Sequence, residues 1–413
     1  MAASPQPVEQ EFRAAMRALM GPATGAVGIA LSGGGDSMAL LHLAHRWGAV
    51  GLRAATVDHG LRPESAAEAT WAGQAAARLG VAHSVLRWQP GPGGNLMAAA
   101  REARLRLLAD WAREHRLDAV LLGHTRDDLA ETLLMRLQRG AGVDGLAAMA
   151  AQRHACGMLW LRPLLGLGRE ALREWLRGQG IDWIEDPSNQ NRDFERVRMR
   201  QTLADCGLSA AQMAQSAANL EMAREALAHF ALLASQRAQV RAGSLLLPLT
   251  DFRAAPREIR RRLLVAGLRF VTGAPYGPRR QPLLDLLRHL DAGPTRQTLA
   301  GVIVQADARH LSMMREPAAA LRAPPLLGMD GIWDGRWRVD GLRPDQQVRA
   351  LGHGPLADLD WRASGLARDE AAASPGVWRG DRLLAAPALA PASQWGLQPL
   401  RSLADYHALL QTH

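Results

Sequence analysis

The sequence predicts an α/β fold, a parallel sheet with helices on both faces, followed by a helical domain and a small β-containing carboxyl-terminal domain. Three observations support this prediction. Short apolar runs alternate with longer stretches of helical spacing from residue 26 to about 182. From about residue 209 the pattern is that of long amphipathic helices, and after a Pro-rich segment at 316–327 short apolar runs are separated by Gly, Pro and Trp. We therefore expect three domains, at 1–208, 209–322 and 323–413.

Five apolar runs predict the strands of the sheet, and they are AVGIAL, LRAATV, AHSVL, DAVLL and GMLWL, at 26–31, 52–57, 82–86, 118–122 and 157–161. Because strands and helices alternate, we expect right-handed crossovers and parallel strands. Ligands bind beyond the carboxyl ends of such strands, so functional residues should directly follow the runs. Three polar clusters do so: SGGGDS (32–37), DHGLR (58–62) and GHTRDD (123–128).

The second domain is predicted from three amphipathic stretches, at 209–241, 256–270 and 279–290. The Pro-rich segment is expected to end it. In the last domain, the run AAPALAPAS at 385–393 is predicted to be a loop.

The chain has 413 residues, of which 48% are hydrophobic, so it can bury a substantial core. No stretch approaches 18 uninterrupted apolar residues, and acidic residues occupy the start, where a secretory peptide would be apolar. We expect a soluble cytoplasmic protein with no membrane partner.

The basic residues of the chain are all arginine, because the 49 Lys and Arg residues include no lysine. This excludes Walker-type P-loop enzymes, protein kinases and pyridoxal enzymes, each of which needs a lysine. The net charge of +9 suits nucleic acid, since arginine binds phosphate in a bidentate manner and stacks on bases. A solvated surface, or the codon usage of a GC-rich genome, would explain the composition equally well.

The only cysteines, Cys156 and Cys206, lie far apart and form no C-x-x-C pattern. Neither a disulfide framework nor a cysteine-rich zinc site is predicted.

The cluster SGGGDS, from Ser32 to Ser37, has the pattern of a phosphate-binding loop. Gly33, Gly34 and Gly35 allow a tight turn after the first strand, and Asp36 and Ser37 begin the next helix, where free N–H groups favour an anion. A carboxylate beside a phosphate is repulsive unless a divalent cation lies between them. Asp36 is therefore a candidate metal ligand, with a helix cap as its alternative role.

The segment GHTRDDLAETLL places His124 at a strand end, and it places Asp128 and Glu131 three residues apart on one helical face. The two carboxylates could simply be helix-terminus charge. Their position at the same sheet edge as Asp36 favours coordination of Mg²⁺ or binding of a substrate amine. In the segment 95–108, Arg101 and Arg104 are spaced i, i+3 and either meet solvent or hold phosphates.

These residues together resemble a known family. SGGGDS is similar to the loop of the PP-loop ATP pyrophosphatases, which share the adenine nucleotide alpha hydrolase-like fold and need no lysine. Within that superfamily, VDHGLRPES, AAAREAR, LLGHTRDDLAETLLMRLQRGAGVDGLAAM and WIEDPSNQNRDFERVRMR resemble the tRNA(Ile)-lysidine synthetase family. The resemblance covers residues 26–200 strongly, and TLAGVIVQADARHLSMMREP and WRGDRLL are weaker matches farther on.

The resemblance implies a ligase that uses ATP and Mg²⁺ to join free lysine to the 2-position of the wobble cytidine of tRNA(Ile) with a CAU anticodon. An adenylated cytidine is the implied intermediate, and the codon specificity changes from AUG to AUA. It further implies that residues 32–37 bind ATP, with Asp36 at the metal. The implied reaction centre contains His124, Asp128 and Glu131, with Arg104 and Arg196 at phosphate charge or RNA.

Two positions depart from the family pattern: Leu105 where a tyrosine is frequent, and Val197 where an asparagine follows the arginine. Arg260 to Arg262 and the pair Arg279 and Arg280 are candidates for tRNA phosphate contacts, and a solvated helix face is their alternative. The oligomeric state is left open, with a homodimer as one alternative.

Three other functions are weighed against this one. A PP-loop tRNA thiolase or another base-adenylating enzyme is the nearest alternative, but the thiolases commonly carry C-x-x-C cysteines. A non-catalytic RNA-binding protein would have lost its acidic residues. A glutamine-dependent amide ligase would need a domain with a nucleophilic cysteine, and none is evident.

Overall fold

The computed structural model describes residues 7–21, 25–48, 51–60, 63–89, 96–147, 149–185, 195–390 and 394–411. The chain divides into two compact units, Met1–Arg224 and Glu225–His413. The finer division at 208 and 322 stays a prediction. In the described ranges, no helix is long and apolar enough to cross a membrane.

The first unit alternates helices and strands through most of its length. Its elements are α1 (Pro7–Met20), β1 (Val27–Ala30), α2 (Gly35–Trp47), β2 (Arg53–Asp58), α3 (Ser65–Arg78), β3 (Ala82–Arg87), α4 (Leu96–Glu114), β4 (Ala119–Leu121), α5 (Arg126–Gln138), α6 (Val143–Leu146), β5 (Gln152–Ala155), β6 (Met158–Leu161), α7 (Arg169–Gly178), α8 (Glu195–Asp205) and α9 (Ala210–Ala234). Helix α9 continues into the second unit.

One six-stranded sheet organises this unit, in the order β3-β2-β1-β4-β6-β5. Strands β1, β2, β3, β4 and β6 are parallel, and each comes from one of the five predicted apolar runs. The strand order reverses between β1 and β4, which is the point where ligands bind in such sheets.

The edge strand β5 is the one strand of this sheet that the apolar pattern does not predict. It pairs antiparallel with β6, and its sequence, QRHA, is polar and mostly exposed. An exposed polar edge has no apolar period, so the sequence carries no signal for it. The turn to β6 contains Cys156 and Gly157, both with positive φ.

Helices cover both faces of the sheet, as predicted. On one face, the core contains Phe12 of α1, Leu40 of α2 and Trp175 of α7. On the other face, Leu108 and Trp111 of α4 belong to the core that also holds residues of β4 and β6. This two-faced burial explains why the parallel strands read as nearly continuous apolar runs.

The second unit contains the predicted helices together with strands. Its elements after α9 are β7 (Gln239–Arg241), β8 (Ser244–Pro248), α10 (Leu249–Ala254), α11 (Arg257–Thr272), α12 (Arg280–Ala292), β9 (Thr295–Leu299), β10 (Val302–Ala306), β11 (His310–Arg315), α13 (Pro317–Leu321), β12 (Leu326–Leu327), β13 (Gly331–Trp333), β14 (Trp337–Asp340), β15 (Gln347–Ala350), α14 (Arg368–Ala372), β16 (Pro375–Arg379), β17 (Arg382–Ala385), β18 (Gly396–Pro399) and α15 (Leu403–Gln411). Two short 3-10 helices lie at Pro355–Ala357 and Trp361–Ser364.

The region predicted as helical also contains a five-stranded antiparallel sheet, in the order β7-β8-β11-β10-β9. Its strands are three to six residues long, and short apolar runs of this length cannot be told from buried helix by periodicity. The sheet and helices α10, α11 and α12 share one apolar core. The expectation of helices was confirmed, but it omitted this sheet.

The carboxyl-terminal region is built from two small sheets, β12-β15-β16-β17 and β13-β14-β18. The strands agree with the predicted β content. Helix α15 returns to the core shared by the five-stranded sheet, where Tyr406 and Leu410 are buried. Of the predicted loop at 385–393, Ala385 ends β17 and residues 391–393 lie outside the described part of the chain.

Candidate active site

The glycine-rich loop joins β1 to α2 at the switch point of the sheet. Gly33 has a φ of +83°, which non-glycine residues rarely adopt, and a Cβ there would lie 2.7 Å from Ile184 Cδ1. Gly34 is the N-cap of α2, and no side chain of the described residues caps this helix. The first N–H groups of α2 are therefore left for an anion.

Two serines fix the shape of this loop. Ser37 Oγ donates to the carbonyl oxygen of Gly34 at 2.9 Å, and the backbone N–H of Ser32 donates to Ser37 Oγ at 3.2 Å. The hydroxyls of Ser32 and Ser37 lie 3.1 Å apart. These hydrogen bonds thus fix the conformation of the loop in the absence of a ligand.

Gly123 brings the end of β4 against the start of α2. A Cβ at this position would lie 3.2 Å from the backbone of Asp36 and Ser37. That distance is tighter than ordinary van der Waals contact, so a larger residue at this position would require the backbone of α2 to shift. As a result, the segment that begins at His124 adjoins the glycine-rich loop.

Three carboxylates predicted from two motifs surround the guanidinium group of Arg169. Its Nε donates to Asp36 Oδ2 at 3.2 Å, its Nη2 to Asp128 Oδ1 at 3.1 Å, and its Nη1 to Glu131 Oε1 at 3.3 Å. Burial lowers the pKa of Arg169, but the carboxylates of Asp128, Asp36 and Glu131 outweigh it and the pKa lies above its ordinary value. The spacing argument for Asp128 and Glu131 therefore agrees with the geometry.

Asp128 caps helix α5 and also forms an ion pair with Arg169, while its binding of a metal or an amine stays a prediction. Its Oδ2 accepts hydrogen bonds from the backbone N–H of Thr125 at 2.8 Å and from the Thr125 hydroxyl at 3.0 Å, which forms a capping box at the start of α5. Its Oδ1 faces Arg169, and Arg196 Nη1 lies 3.7 Å away. The cap orients the carboxylate, and the second oxygen faces the site.

Two carboxylate oxygens in this cluster are buried without a hydrogen-bond partner in the described residues: Asp36 Oδ1 and Glu131 Oε2. Buried polar atoms are nearly always paired, so an unpaired acceptor indicates a place for a bound donor or cation. Burial raises the pKa of Asp36 to about 6, with Arg169 acting to lower it and Asp128 to raise it. The Glu131 side chain is only 2% exposed, and its Oε1 also accepts from Arg200 Nε at 3.0 Å.

His124 lies beside the carboxylates as a neutral imidazole. Its Nδ1 accepts a hydrogen bond from Arg162 Nε at 3.1 Å. Burial lowers the pKa of His124 to about 4, Asp128 opposes this, and the charges of Arg162, Arg104 and Arg196 lower it further. At neutral pH the ring is uncharged, and its Nε2 therefore carries the proton.

Arg162, Arg169 and Arg200 belong to the site, but sequence reasoning did not single them out. Arg162 directly follows the apolar run of β6, so the strand-end rule applied to the fifth run would have found it. Arg169 begins α7 and is 133 residues from Asp36 in the chain, and no local pattern links the two.

The cluster DHGLR has a local structural role in the residues that are described. Asp58 Oδ1 accepts from the backbone N–H of Gly60 at 2.9 Å and from the Ser65 hydroxyl at 2.7 Å, and these hydrogen bonds lower the pKa of Asp58. His59 packs edge-on against Trp88, with ring centroids 5.9 Å apart. Residues 61 and 62 of the cluster lie outside the described ranges.

At this site, Mg²⁺ would be coordinated by only a few protein ligands. In the described ranges, no three or more His, Cys, Asp or Glu side chains are grouped around one metal position. Mg²⁺ is commonly held by one or two carboxylates together with substrate phosphates and water. Asp36 Oδ1, which has no hydrogen-bond partner in the described part of the chain, lies at the start of α2 and fits that donor set.

In the second unit, the arginine run at 260–262 is not a free basic surface. Arg260 pairs with Asp291 and Arg261 with Glu258, and Arg262 is only 2% exposed. A buried guanidinium cannot contact a phosphate backbone, so the proposed tRNA contact is wrong for Arg262. Arg279 and Arg280 are exposed at the start of α12.

Comparison with known proteins gives the family to which the chain is similar. The PP-loop domain family matches residues 6–206. The chain is similar to the tRNA(Ile)-lysidine synthase of Ruegeria pomeroyi, with 43% identity over 399 residues that cover 94% of each protein. It is 40% identical to the tRNA(Ile)-lysidine synthase of a Bradyrhizobium species over 333 residues, 73% of this chain and 91% of the relative. Among solved structures, the U34-tRNA thiolase NcsA of Methanococcus maripaludis aligns with 52% of this chain and 79% of its own, at 16% identity and a TM-score of 0.44.

Proposed function

The chain belongs to the tRNA(Ile)-lysidine synthase family, and on this premise we propose that it ligates lysine to C2 of the wobble cytidine of tRNA(Ile) with a CAU anticodon. It is an ATP-using enzyme of the PP-loop type. The observation that carries the proposal is the acidic cluster beside the glycine-rich loop, in which two carboxylate oxygens have no partner among the described residues. Such a site suits an enzyme that binds both a nucleotide phosphate and an amine.

The proposed reaction has two balanced steps. The 2-oxygen of cytidine attacks the α-phosphorus of ATP, the bond to the β-phosphate breaks, and pyrophosphate leaves. The ε-ammonium group of lysine first loses a proton to solvent, and the resulting ε-amine attacks C2. The bond from C2 to the AMP oxygen breaks, AMP leaves, and a second proton leaves the attacking nitrogen. Adenylation is necessary because the carbonyl oxygen is a poor leaving group.

The glycine-rich loop supports the first step. Backbone N–H groups from Gly33 to Ser37 would bind the departing pyrophosphate, since they are uncapped and begin a helix. The hydroxyl contact of Ser32 and Ser37 preforms this loop. When bound, Mg²⁺ would neutralise phosphate charge, and Asp36 is the residue proposed to hold it through Oδ1.

The carboxylates of α5 support the second step. Lysine arrives with a positive ε-ammonium group, and the unpaired Oε2 of Glu131 is a buried acceptor for it. Asp128 is fixed by its capping box and adds negative charge to the same place. We propose that these two residues orient the amine.

The basic side chains would act on the RNA and on phosphate charge. Arg196 lies within 3.7 Å of Asp128, and the charge of Arg104 reaches His124. Arginine in such a position stabilises negative charge on the α-phosphate. Neutral His124, with its Nδ1 already accepting from Arg162, can donate a hydrogen bond through Nε2 to the base or the phosphate.

The proposal is tested by incorporation of labelled lysine into unmodified tRNA(Ile) with a CAU anticodon, in the presence of ATP and Mg²⁺. Elongator tRNA(Met) is the matched control, because it carries the same anticodon. We expect label in tRNA(Ile) alone, together with AMP and pyrophosphate.

Two results would contradict the proposal. Equal labelling of both tRNAs would mean that the enzyme does not distinguish tRNA(Ile) from tRNA(Met). Pyrophosphate release without lysine incorporation would retain the PP-loop chemistry and exclude lysine as the nucleophile.

A further inference from the structure

A surface rich in arginine lies next to the candidate active site, and the antiparallel strand β5 forms part of it. Because β5 runs against β6, its first residues lie where the parallel strands end, and Arg153 pairs in register with Trp160. Arg162 follows β6 and bonds to His124. Arg153 is exposed. Strand β5 therefore extends the carboxyl edge of the sheet with a basic side chain.

Helix α4 contributes two more arginines at the same edge. The helix leads from β3 back to the start of β4, so its amino-terminal half lies at the carboxyl ends of the strands. Arg101 and Arg104 are spaced i, i+3 in that half, and solvent reaches both side chains. We call Arg101, Arg104, Arg153 and Arg162 the arginine surface.

Among the described residues, no carboxylate forms an ion pair with Arg101, Arg104 or Arg153. Burial lowers the pKa of Arg162 to about 10, and the charges of Arg153 and Arg101 contribute to this shift. Like charges held close together repel one another, so the arginine surface favours a bound polyanion.

We propose that Arg101 and Arg153 bind the phosphate backbone of the RNA substrate next to the nucleotide that reacts. This inference rests on the proposed function and deepens it, because it names the part of the surface that holds the RNA. Guanidinium groups bind phosphate oxygens in a bidentate manner, and backbone contacts fix register without reading sequence. Helix α4 and strand β5 thus position the tRNA, and the base is recognised elsewhere in the site.

The test is the salt dependence of tRNA binding by the full chain. In R101Q/R153Q, two phosphate contacts are lost, so the slope of log Kd against log salt should fall by about 1.4, at about 0.7 per contact to a single strand. The matched control is R78Q/R113Q, which removes two exposed arginines from the carboxyl ends of α3 and α4, at the opposite edge of the sheet. The control should keep the slope of the parent protein.

A second variant, R101K/R153K, separates charge from packing. It keeps both positive charges, so most of the slope should return. Circular dichroism melting verifies that each variant is folded. An unchanged slope in R101Q/R153Q, or equal losses in both double variants to Gln, would overturn the proposal.

The lysine-incorporation assay on the parent protein is read separately. If lysidine forms while R101Q/R153Q keeps the salt-dependence slope of the parent protein, the proposed RNA contact of Arg101 and Arg153 is wrong and the proposed function stands. If no lysidine forms but the slope falls, the RNA surface stands and the proposed function fails.

Discussion

Each unit of the molecule contains a buried cluster of arginine and carboxylate, and the two clusters differ in how many carboxylate oxygens are satisfied. In the second unit, Asp334 Oδ1 accepts from Arg315 Nη2 at 2.8 Å, and Oδ2 accepts from Arg315 Nε at 3.0 Å and Arg336 Nε at 2.7 Å. In the first unit, three carboxylates share Arg169, and two oxygens have no partner in the described residues.

This difference separates a structural ion cluster from a ligand site. A buried carboxylate whose two oxygens both accept hydrogen bonds within the fold needs no ligand. In the first cluster, two acceptors have no partner among the described residues, which is the pattern expected of a site that binds a ligand. Substitutions in the first cluster should therefore affect activity, and those in the second should affect stability.

The largest expected effect is that of D36N on catalysis. Loss of the carboxylate beside the phosphate-binding loop should slow pyrophosphate release with tRNA by about 10³-fold, comparable to removal of one group that stabilises the transition state. Binding of tRNA should be retained, as measured by filter binding. D110N, an exposed acidic position on α4, is the control. Turnover of D36N at the parent rate would refute the role of Asp36.

The next largest effect is that of D334N on stability. It breaks a buried ion cluster and leaves Arg315 and Arg336 without their common partner, so the free energy of unfolding should fall by about 3 kcal/mol in urea. Lysidine formation per folded molecule should not change. D381N, at a fully exposed position paired with Arg349, should have little effect on either quantity. A loss of activity without a loss of stability would place Asp334 in a functional site.

The dependence of stability on pH should separate the two titrating groups of the first cluster. The pKa of Asp36 is raised to about 6, so its protonation favours the folded state as pH falls from about 6 to 4. The pKa of His124 is lowered to about 4, so the unfolded state takes up a proton first and stability is lost as pH falls from about 6.5 to 4. The two contributions oppose each other.

Single substitutions reveal each contribution. D36N should lose the rise in the free energy of unfolding that Asp36 contributes at low pH, and H124Q should lose the decline that His124 contributes. Each change should be about 2 kcal/mol between pH 7 and 4. Urea unfolding at several pH values measures both. Identical pH profiles for the two variants would mean that neither group titrates as the structure implies.

The smallest expected effect is the coupling between Arg169 and Asp36. R169Q leaves three carboxylates facing one another and should destabilise the protein, and D36N in the same chain should restore about 1 kcal/mol. The double-mutant cycle R169Q, D36N and R169Q/D36N measures this coupling in urea. Additive effects would contradict a direct interaction between the two side chains.

Local spacing was sufficient to predict the carboxylates of the site but not the arginine between them. Asp36 follows a strand, and Asp128 and Glu131 share one helical turn, so each is visible in a window of a few residues. Arg169 reaches them only through the packing of α7 beside α2, which depends on the whole sheet. The contacts that set the charge of the site are thus non-local.

Local sequence patterns also predict only part of the fold. The parallel strands are buried on both faces and therefore appear as apolar runs. Strand β5 is polar, and β8, β10 and β11 are short and lie among helices, so periodicity does not distinguish them. The buried position of Arg262 was equally hidden, because a run of arginines on a helix usually faces water.

Strand β5 also has a consequence for solubility during folding. It is an outer strand, and one side of its backbone has no neighbouring strand in the sheet. Open strand edges invite pairing with other chains and lead to aggregation, which natural proteins counter with short edge strands and charged side chains. At four residues long, with the exposed side chains of Gln152, Arg153 and His154, β5 discourages such pairing while the rest of the chain is still being made.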